Sequence, residues 1–241
     1  MTVVLVLLAG AVAYVSARFV GELIYTTYQA LRGTPHLFTE CITPADRREA
    51  VIYMVKTFNA IMNDKPVTWW LDYGNLLGAY RMGGMLPWDH DGDIGFLEQD
   101  RPAIEACREE FARHGIELNL DRTAIFYRGA TVDVEPWGLR GDTLVHGDPA
   151  LRRGIRKYHD AWHEDFPAAW VRPLWRIRFE GEMLPCPNHP ERFLKRRYLT
   201  YRLHRSWFFP HKMTCWTCRE FWGQALRILR AGYSPVVEER T

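Results

Sequence analysis

Between Leu86 and Phe96 the chain reads Leu-Pro-Trp-Asp-His-Asp-Gly-Asp-Ile-Gly-Phe, three carboxylates at alternate positions between apolar flanks. In an extended segment, side chains at i, i+2 and i+4 leave the same face, so Asp89, Asp91 and Asp93 would crowd three negative charges together. Such a cluster is costly unless a cation neutralises it. Oxygen-only donors suit hard ions, Mg²⁺, Mn²⁺ or Ca²⁺, rather than zinc. A solvated acidic turn is the competing reading, but Pro87, Trp88, Ile94 and Phe96 supply apolar surface that a polar loop does not need. A calcium hand fails by count: from Asp89, loop position six is Ile94 where Gly is needed, and position twelve is Asp100 where Glu is needed.

At 241 residues the chain has room for one substantial domain with a small appendage. A net charge of +2 gives no global basic field for nucleic acid. Residues 1–25 read as a hydrophobic signal or membrane-anchor segment: Thr2 to Ala17 is apolar or small apart from Thr2, Tyr14 and Ser16, and Arg18 closes the run. That run is shorter than the about 20 residues of a span, though Phe19, Val20, Leu23, Ile24 and Tyr25 prolong it. Val15-Ser16-Ala17 also resembles a small-residue cleavage site. Arg18 and Arg32 follow the run, a bias that places the rest of an uncleaved chain on the cytosolic side, so orientation stays open. Residues 26–42, with Gly33 and Pro35, read as a linker, and residues 43–241 as the folded domain.

Within that domain Thr43 can cap a helix with Pro44 at its first position and Asp46 in its first turn. Val51, Val55, Phe58 and Met62 would face the core. Thr68 to Leu71 reads as a buried strand, Asp72 to Asn75 as a sharp turn, and Leu76, Leu77 and Tyr80 as a short helix broken by Gly83 and Gly84. The acidic strand follows, then a helix from Asp100 to His114 stopped by Gly115. Strands are predicted at Ile116–Leu120, Ala124–Tyr127 and Thr131–Glu135, the last throwing Asp133 and Glu135 to one face. No periodicity holds from Trp137 to Ala169. Arg176 to Met183 reads as a hairpin, Asn188 as the cap of a basic helix over Pro190–Tyr198, and Phe221 to Leu229 as a last helix. The order predicts an α+β fold.

Five cysteines are present, and Cys215-Trp216-Thr217-Cys218 has redox or half-zinc spacing. His211, Cys41 or Cys186 could complete a zinc site or a disulfide there; two unremarkable thiols are the plainer reading. His146, His159 and His163 are scattered among acids, where incidental roles outweigh ligation. His90 is not read as catalytic. The basic run Arg192 to Arg205 is read mainly as a solvated helix face, with phosphate binding as the alternative. Asp72 is read as a support for the turn.

A Gly74-led turn, a short helix, the acidic strand and Asp133 on a neighbouring strand form a coherent constellation. Backbone N–H groups at a helix start hold phosphate, and Asp91, Asp93 and Asp133 can hold one or two divalent ions that neutralise a pyrophosphate. Two segments carry a resemblance: Trp70-Leu71-Asp72-Tyr73-Gly74-Asn75-Leu76-Leu77-Gly78-Ala79-Tyr80-Arg81, then Leu86 to Gly95. Together they resemble the GTLLGxxR and PWDxDxDIG motifs of the LicD family, closely over residues 69–97 and more loosely from Asp133 to Tyr198. That family includes bacterial phosphocholine transferases and the fukutin and fukutin-related proteins.

The resemblance implies a nucleotidyltransferase-like mixed β-sheet flanked by helices, here preceded by the N-terminal hydrophobic helix. It implies Mg²⁺- or Mn²⁺-dependent transfer of a phospho-alcohol from a CDP-linked donor, such as CDP-choline or CDP-ribitol, to a glycan hydroxyl. It implies Asp91 and Asp93 as the metal pair, Asp133 as the third carboxylate, and Asp89 as a further ligand or acceptor-side base. Gly74 and Asn75 match the phosphate-holding turn and Arg81 the basic residue that closes it. Asn75 stands where a hydroxyl residue is usual, so a catalytically silent relative that binds a nucleotide or glycan, or scaffolds an active partner, is the alternative. A membrane-associated place in the secretory pathway, Golgi or ER, goes with the active reading.

Overall fold

The computed structural model describes residues 41–147, 165–198, 219–233 and 235–239, with scattered positions between 5 and 20. The segments read as 1–25 and 26–42 lie almost wholly outside the described residues, as do Cys215, Cys218, His159, His163 and His211. Among the described residues no helix is long and apolar enough to cross a membrane.

The order is α1 (Ala45–Met62), β1 (Trp69–Leu71), α2 (Tyr73–Met82), β2 (Gly92–Leu97), α3 (Arg101–Glu105), α4 (Arg108–Arg113), β3 (Glu117–Asn119), β4 (Ala124–Tyr127), β5 (Ala130–Arg140), β6 (Thr143–His146) and β7 (Phe166–Pro167). A hairpin, β8 (Trp175–Phe179) and β9 (Glu182–Cys186), then α5 (Pro190–Arg197), α6 (Arg219–Ala231) and β10 (Val237–Glu238) complete it. The main sheet runs β1-β2-β5-β4-β3, with β6 paired to β5 and β7 to β6; β10-β8-β9 form a second, small sheet. Every described pairing is antiparallel except β2 with β5. The α+β expectation is met by a mixed sheet with helices.

The sheet's two faces follow from period-two alternation. Val132 and Val134 are fully buried and turn toward α1, where Val51, Met54, Val55 and Phe58 are also fully buried. Asp133 and Glu135 take the opposite face, and Trp137, two residues on, is buried there.

Several local readings need correction. Pro44, not Thr43, caps α1, and without a side-chain bond. Thr43 turns instead to the acidic loop: its N–H donates to Pro87 O at 2.8 Å and its hydroxyl to the Asp89 carbonyl. The sharp turn at Asp72–Asn75 is the first turn of α2 itself, with Asp72 as N-cap. Asp89 and Asp91 sit in the loop before β2, so only Asp93 of the three acids is on the strand. The helix read over Asp100–His114 divides at Ala106–Cys107 into α3 and α4. β5 runs well past Glu135, because Trp137 to Arg140 find a second partner in β6. Asn188 does not cap α5; its amide donates to the carbonyls of Ala169 and Arg172, each at 3.0 Å.

Candidate active site

The acids meet at one end of the parallel pair. Asp93 and Asp133 are register partners on β2 and β5, and in parallel strands such partners share a face. β1 delivers the chain to the same end, where Asp72 N–H donates to Asp93 O at 3.1 Å. The first turn of α2 then arrives above Asp93, and Gly74 N–H donates to Asp93 Oδ2 at 2.8 Å. Gly74 is required by close approach: a Cβ there would lie 2.2 Å from Asp89 Oδ2 and 3.0 Å from Asp93 Oδ2. Asp91 is exposed at the mouth of the cluster, while Asp89, Asp93 and Asp133 are half-buried. A cavity of about 370 Å³ lined by Lys65, Trp69 and Trp175 lies at the opposite end of β1, away from these acids.

Electrostatics follow from this crowding. Burial, then the neighbouring Asp91, drives the Asp89 carboxyl well above its usual range, and the two share a hydrogen bond. Burial, then Asp91, Asp89 and Asp133, drives Asp93 up as well, with the Gly74 N–H pulling the other way. Asp133 is raised to about 7 by burial, then by Asp91 and Glu135. Like charges that find no counter-ion keep protons or share them.

The donor chemistry fits a hard divalent ion: four carboxylates, all oxygen, with one mouth. Among the described residues, however, no three Asp, Glu, His or Cys side chains stand together as a ready-made metal centre. The crowding raises the proton affinity of Asp89, Asp93 and Asp133. This has a consequence in pH. A carboxyl with an ordinary value of 3.8 raised to about 7 binds its proton more tightly folded than unfolded. Its contribution to stability is therefore present at low pH and is lost as pH rises through about 7. Asp89 and Asp93 act in the same direction. In EDTA the Tm is expected to fall as pH climbs through that window, and excess Mg²⁺ to flatten the decline. Calorimetry checks it; a Tm rising toward neutrality in EDTA would overturn the raised values.

Asn75 is fully buried, and among the described residues neither its Nδ2 nor its Oδ1 has a hydrogen-bond partner. It lies against Gly92, where a Cβ would come 3.1 Å from Nδ2. A buried amide without partners is rare and costs about 1–3 kcal/mol. Arg81 is not with the acids. It is buried in the last turn of α2, roughly 10 Å along the helix from Gly74, and faces the Tyr233 ring at 5.8 Å. Burial lowers its pKa, against the raising influence of Tyr233 and Tyr198. His90 lies 3.5 Å from the Thr43 hydroxyl.

Two pairings beside the acids go beyond the sequence reading, which takes Asp72 only as a support for the turn. His146 Nε2 pairs with Glu135 Oε2 at 2.7 Å, on the face that carries Asp133. The alternation in Val132-Asp133-Val134-Glu135 pointed to Glu135, but nothing local linked it to His146. The second is that of Asp72, wholly buried, which accepts from Trp137 Nε1 at 3.0 Å and from Arg197. The available signal was that Arg197 falls one helical turn after Phe193, hence on its buried face.

Residues 66–189, more than half of the chain, match the family model described as LicD/FKTN/FKRP, nucleotidyltransferase domain. Among curated proteins the chain is 28% identical over 158 residues to Ribitol 5-phosphate transferase FKRP of Mus musculus, covering 63% of this chain and 31% of that protein. It is 26% identical over 170 residues to Ribitol 5-phosphate transferase FKRP of Homo sapiens, covering 68% and 34%. The chain thus spans about a third of the length of these relatives. Among solved structures, the lincomycin-bound lincosamide antibiotic adenylyltransferase LnuA aligns with a TM-score of 0.36 and 19% identity, over 64% of this chain and 85% of that one, a likeness too remote to bear on chemistry.

Proposed function

The chain belongs to the LicD/FKTN/FKRP nucleotidyltransferase family, and from that premise we propose that it moves a phospho-alcohol, such as phosphocholine or ribitol phosphate, from a CDP-linked donor to a glycan hydroxyl, with Mg²⁺ or Mn²⁺ as cofactor. The observation that carries this reading is the side-by-side placement of Asp93 and Asp133 beneath the α2 N-terminus.

Asp91, Asp93 and Asp133 would hold the ion, with Asp89 behind them. Such an ion, when bound, neutralises the donor pyrophosphate and stabilises charge on the attacking and leaving oxygens. The chain's own groups do the rest. Gly74 N–H fixes Asp93 Oδ2, so that this carboxylate keeps one orientation. Asn75 would donate its Nδ2 to a phosphate oxygen of the donor, and among the described residues that group has no other partner. Asp89, whose proton affinity burial and Asp91 raise, is suited to receive the proton of an attacking sugar hydroxyl at its carboxylate. Arg81, two turns away, would act on the donor only through a different part of it.

Secretory-pathway residence, in the Golgi or ER, with membrane association through residues 1–25, goes with this activity. One described feature supports an oxidising setting: Cys41 is disulfide-bonded, whereas Cys107 and Cys186 are free. Nucleic acid has no part in the reading.

The test is incubation of the protein and Mg²⁺ or Mn²⁺ with a panel of CDP-linked alcohols and glycan acceptors, read by mass spectrometry. The expected result is a glycan heavier by one phospho-alcohol unit, with CMP released, for one donor class and none in EDTA. Asn75 in place of the family's hydroxyl residue favours one rival, a silent binder; tight, metal-independent donor binding without turnover across the panel would establish it.

A further inference from the structure

The α2 N-terminus is held from a distance. Asp72, its cap, is fully buried, and its carboxylate is met by Arg197 at the end of α5, 125 residues away in sequence. The same carboxylate accepts from Tyr73 N–H at 2.9 Å and from Trp137 Nε1 at 3.0 Å. The Arg197 guanidinium also lies over the Tyr73 ring, 3.6 Å from its centroid, and over Phe193 at 4.7 Å. Tyr73 has a φ of +32°, a conformation that an L side chain with a bulky ring does not adopt unaided. The next peptide is the one whose N–H reaches Asp93. Arg192 and Lys195 of the same helix are exposed and Arg196 is half-buried, whereas Arg197 is buried.

We propose that Arg197 is a positioning residue for the metal-dependent site: by clamping Asp72 and the Tyr73 ring together it holds the strained first turn of α2, and so aims the Gly74 N–H at Asp93. The clamp rests on the proposed role of the carboxylate cluster, yet it has consequences that need no catalysis. Guanidinium is suited to the task, because one planar group serves a carboxylate along its edge and an aromatic ring on its face. Lysine keeps the charge and loses the stacking plane. Without the clamp, the backbone at Tyr73 is free to relax to negative φ, which rotates the following N–H away from β2.

Arg197→Met alone leaves a buried carboxylate without its cation and is open to misfolding. The discriminating protein is therefore the double variant D72N/R197M, which removes both charges; its amide oxygen can keep the N-cap bond from Tyr73 N–H, while Trp137 Nε1 loses its acceptor. Three measurements on the full chain decide the matter: melting temperature, amide hydrogen exchange at Gly74 by NMR, and Mn²⁺ affinity by calorimetry, with donor turnover where the wild type shows any. The expected result is a cooperatively folded double variant in which the Gly74 amide exchanges at least tenfold faster and Mn²⁺ binds at least fivefold more weakly. Arg197→Lys, folded, should show an intermediate Gly74 exchange rate, and its turnover should fall in kcat more than its KM rises. A folded double variant with wild-type Gly74 protection and wild-type Mn²⁺ affinity would overturn the clamp and leave Arg197 a purely structural residue. Absence of turnover in the wild type with every donor would count against the transferase reading, while the exchange experiment would still decide the clamp.

Discussion

Asp93→Asn is expected to reduce transfer by on the order of 10³-fold or more while the protein still folds, because the new amide keeps the volume of the carboxylate and still accepts from Gly74 N–H. Without a divalent ion the variant should melt higher than the wild type. Asp93 is pressed by burial and by Asp91, Asp89 and Asp133, and removing one member of a like-charged group relieves the others. A gain of about 1 kcal/mol corresponds to a Tm increase of roughly 2–4 °C at this size. The wild type should gain stability as Mg²⁺ is added and the variant should not, since only a folded state that binds the ion is stabilised by it. Thermal melts with and without Mg²⁺, together with the transfer assay, check all three points. Equal Mg²⁺-dependent gains in both proteins would place the ion elsewhere.

Gly74→Ala should have the next largest effect. The added methyl would overlap the Asp89 carboxylate at 2.2 Å and press on Asp93 at 3.0 Å. Either Asp89 swings out or the first turn of α2 lifts, and the second response breaks the Gly74 N–H bond to Asp93. A displacement of about an ångström at a reacting centre costs on the order of 10²-fold in rate, with about 1–3 kcal/mol of overpacking strain. Gly223→Ala is the control, since a Cβ on that α6 residue meets nothing within 4 Å among the described residues. Parallel kinetics and melts of the two variants separate local crowding from a general effect of glycine replacement.

Much of this site was legible in the sequence because its parts are short and local. The acidic run, the Gly74 turn and the Val-Asp-Val-Glu alternation each state their own geometry within a few residues, and strand pairing then sets Asp133 beside Asp93. What local pattern could not state was where regular structure gives way. Period two extended the acidic strand back to Asp89, whereas Pro87 and the tie from Thr43 to the Pro87 and Asp89 carbonyls hold that stretch as a loop. Capping rules favoured Thr43 and Asn188, and tertiary contacts claimed both side chains first. Arg81 looked like a site residue by its place in a motif, but the rise of α2 over two turns sets it apart from the acids, where it faces the Tyr233 ring. The Asp72–Arg197 and Glu135–His146 pairs join elements whose proximity only the completed fold supplies.

The single parallel ladder, β2 against β5, has a consequence for how the molecule is made. A newly synthesised chain presents Asp93 before β5 exists, because α3, α4 and the β3–β4 hairpin must be built first. At about 5–20 residues per second, the ribosome leaves that acidic edge unpaired for seconds. A slip of one residue when β5 docks would send Asp133 toward α1 and its flanking valines to the open side. Such a species could be compact and soluble yet inert. For this protein the amount of folded material and the amount with Asp133 paired beside Asp93 are therefore separate quantities.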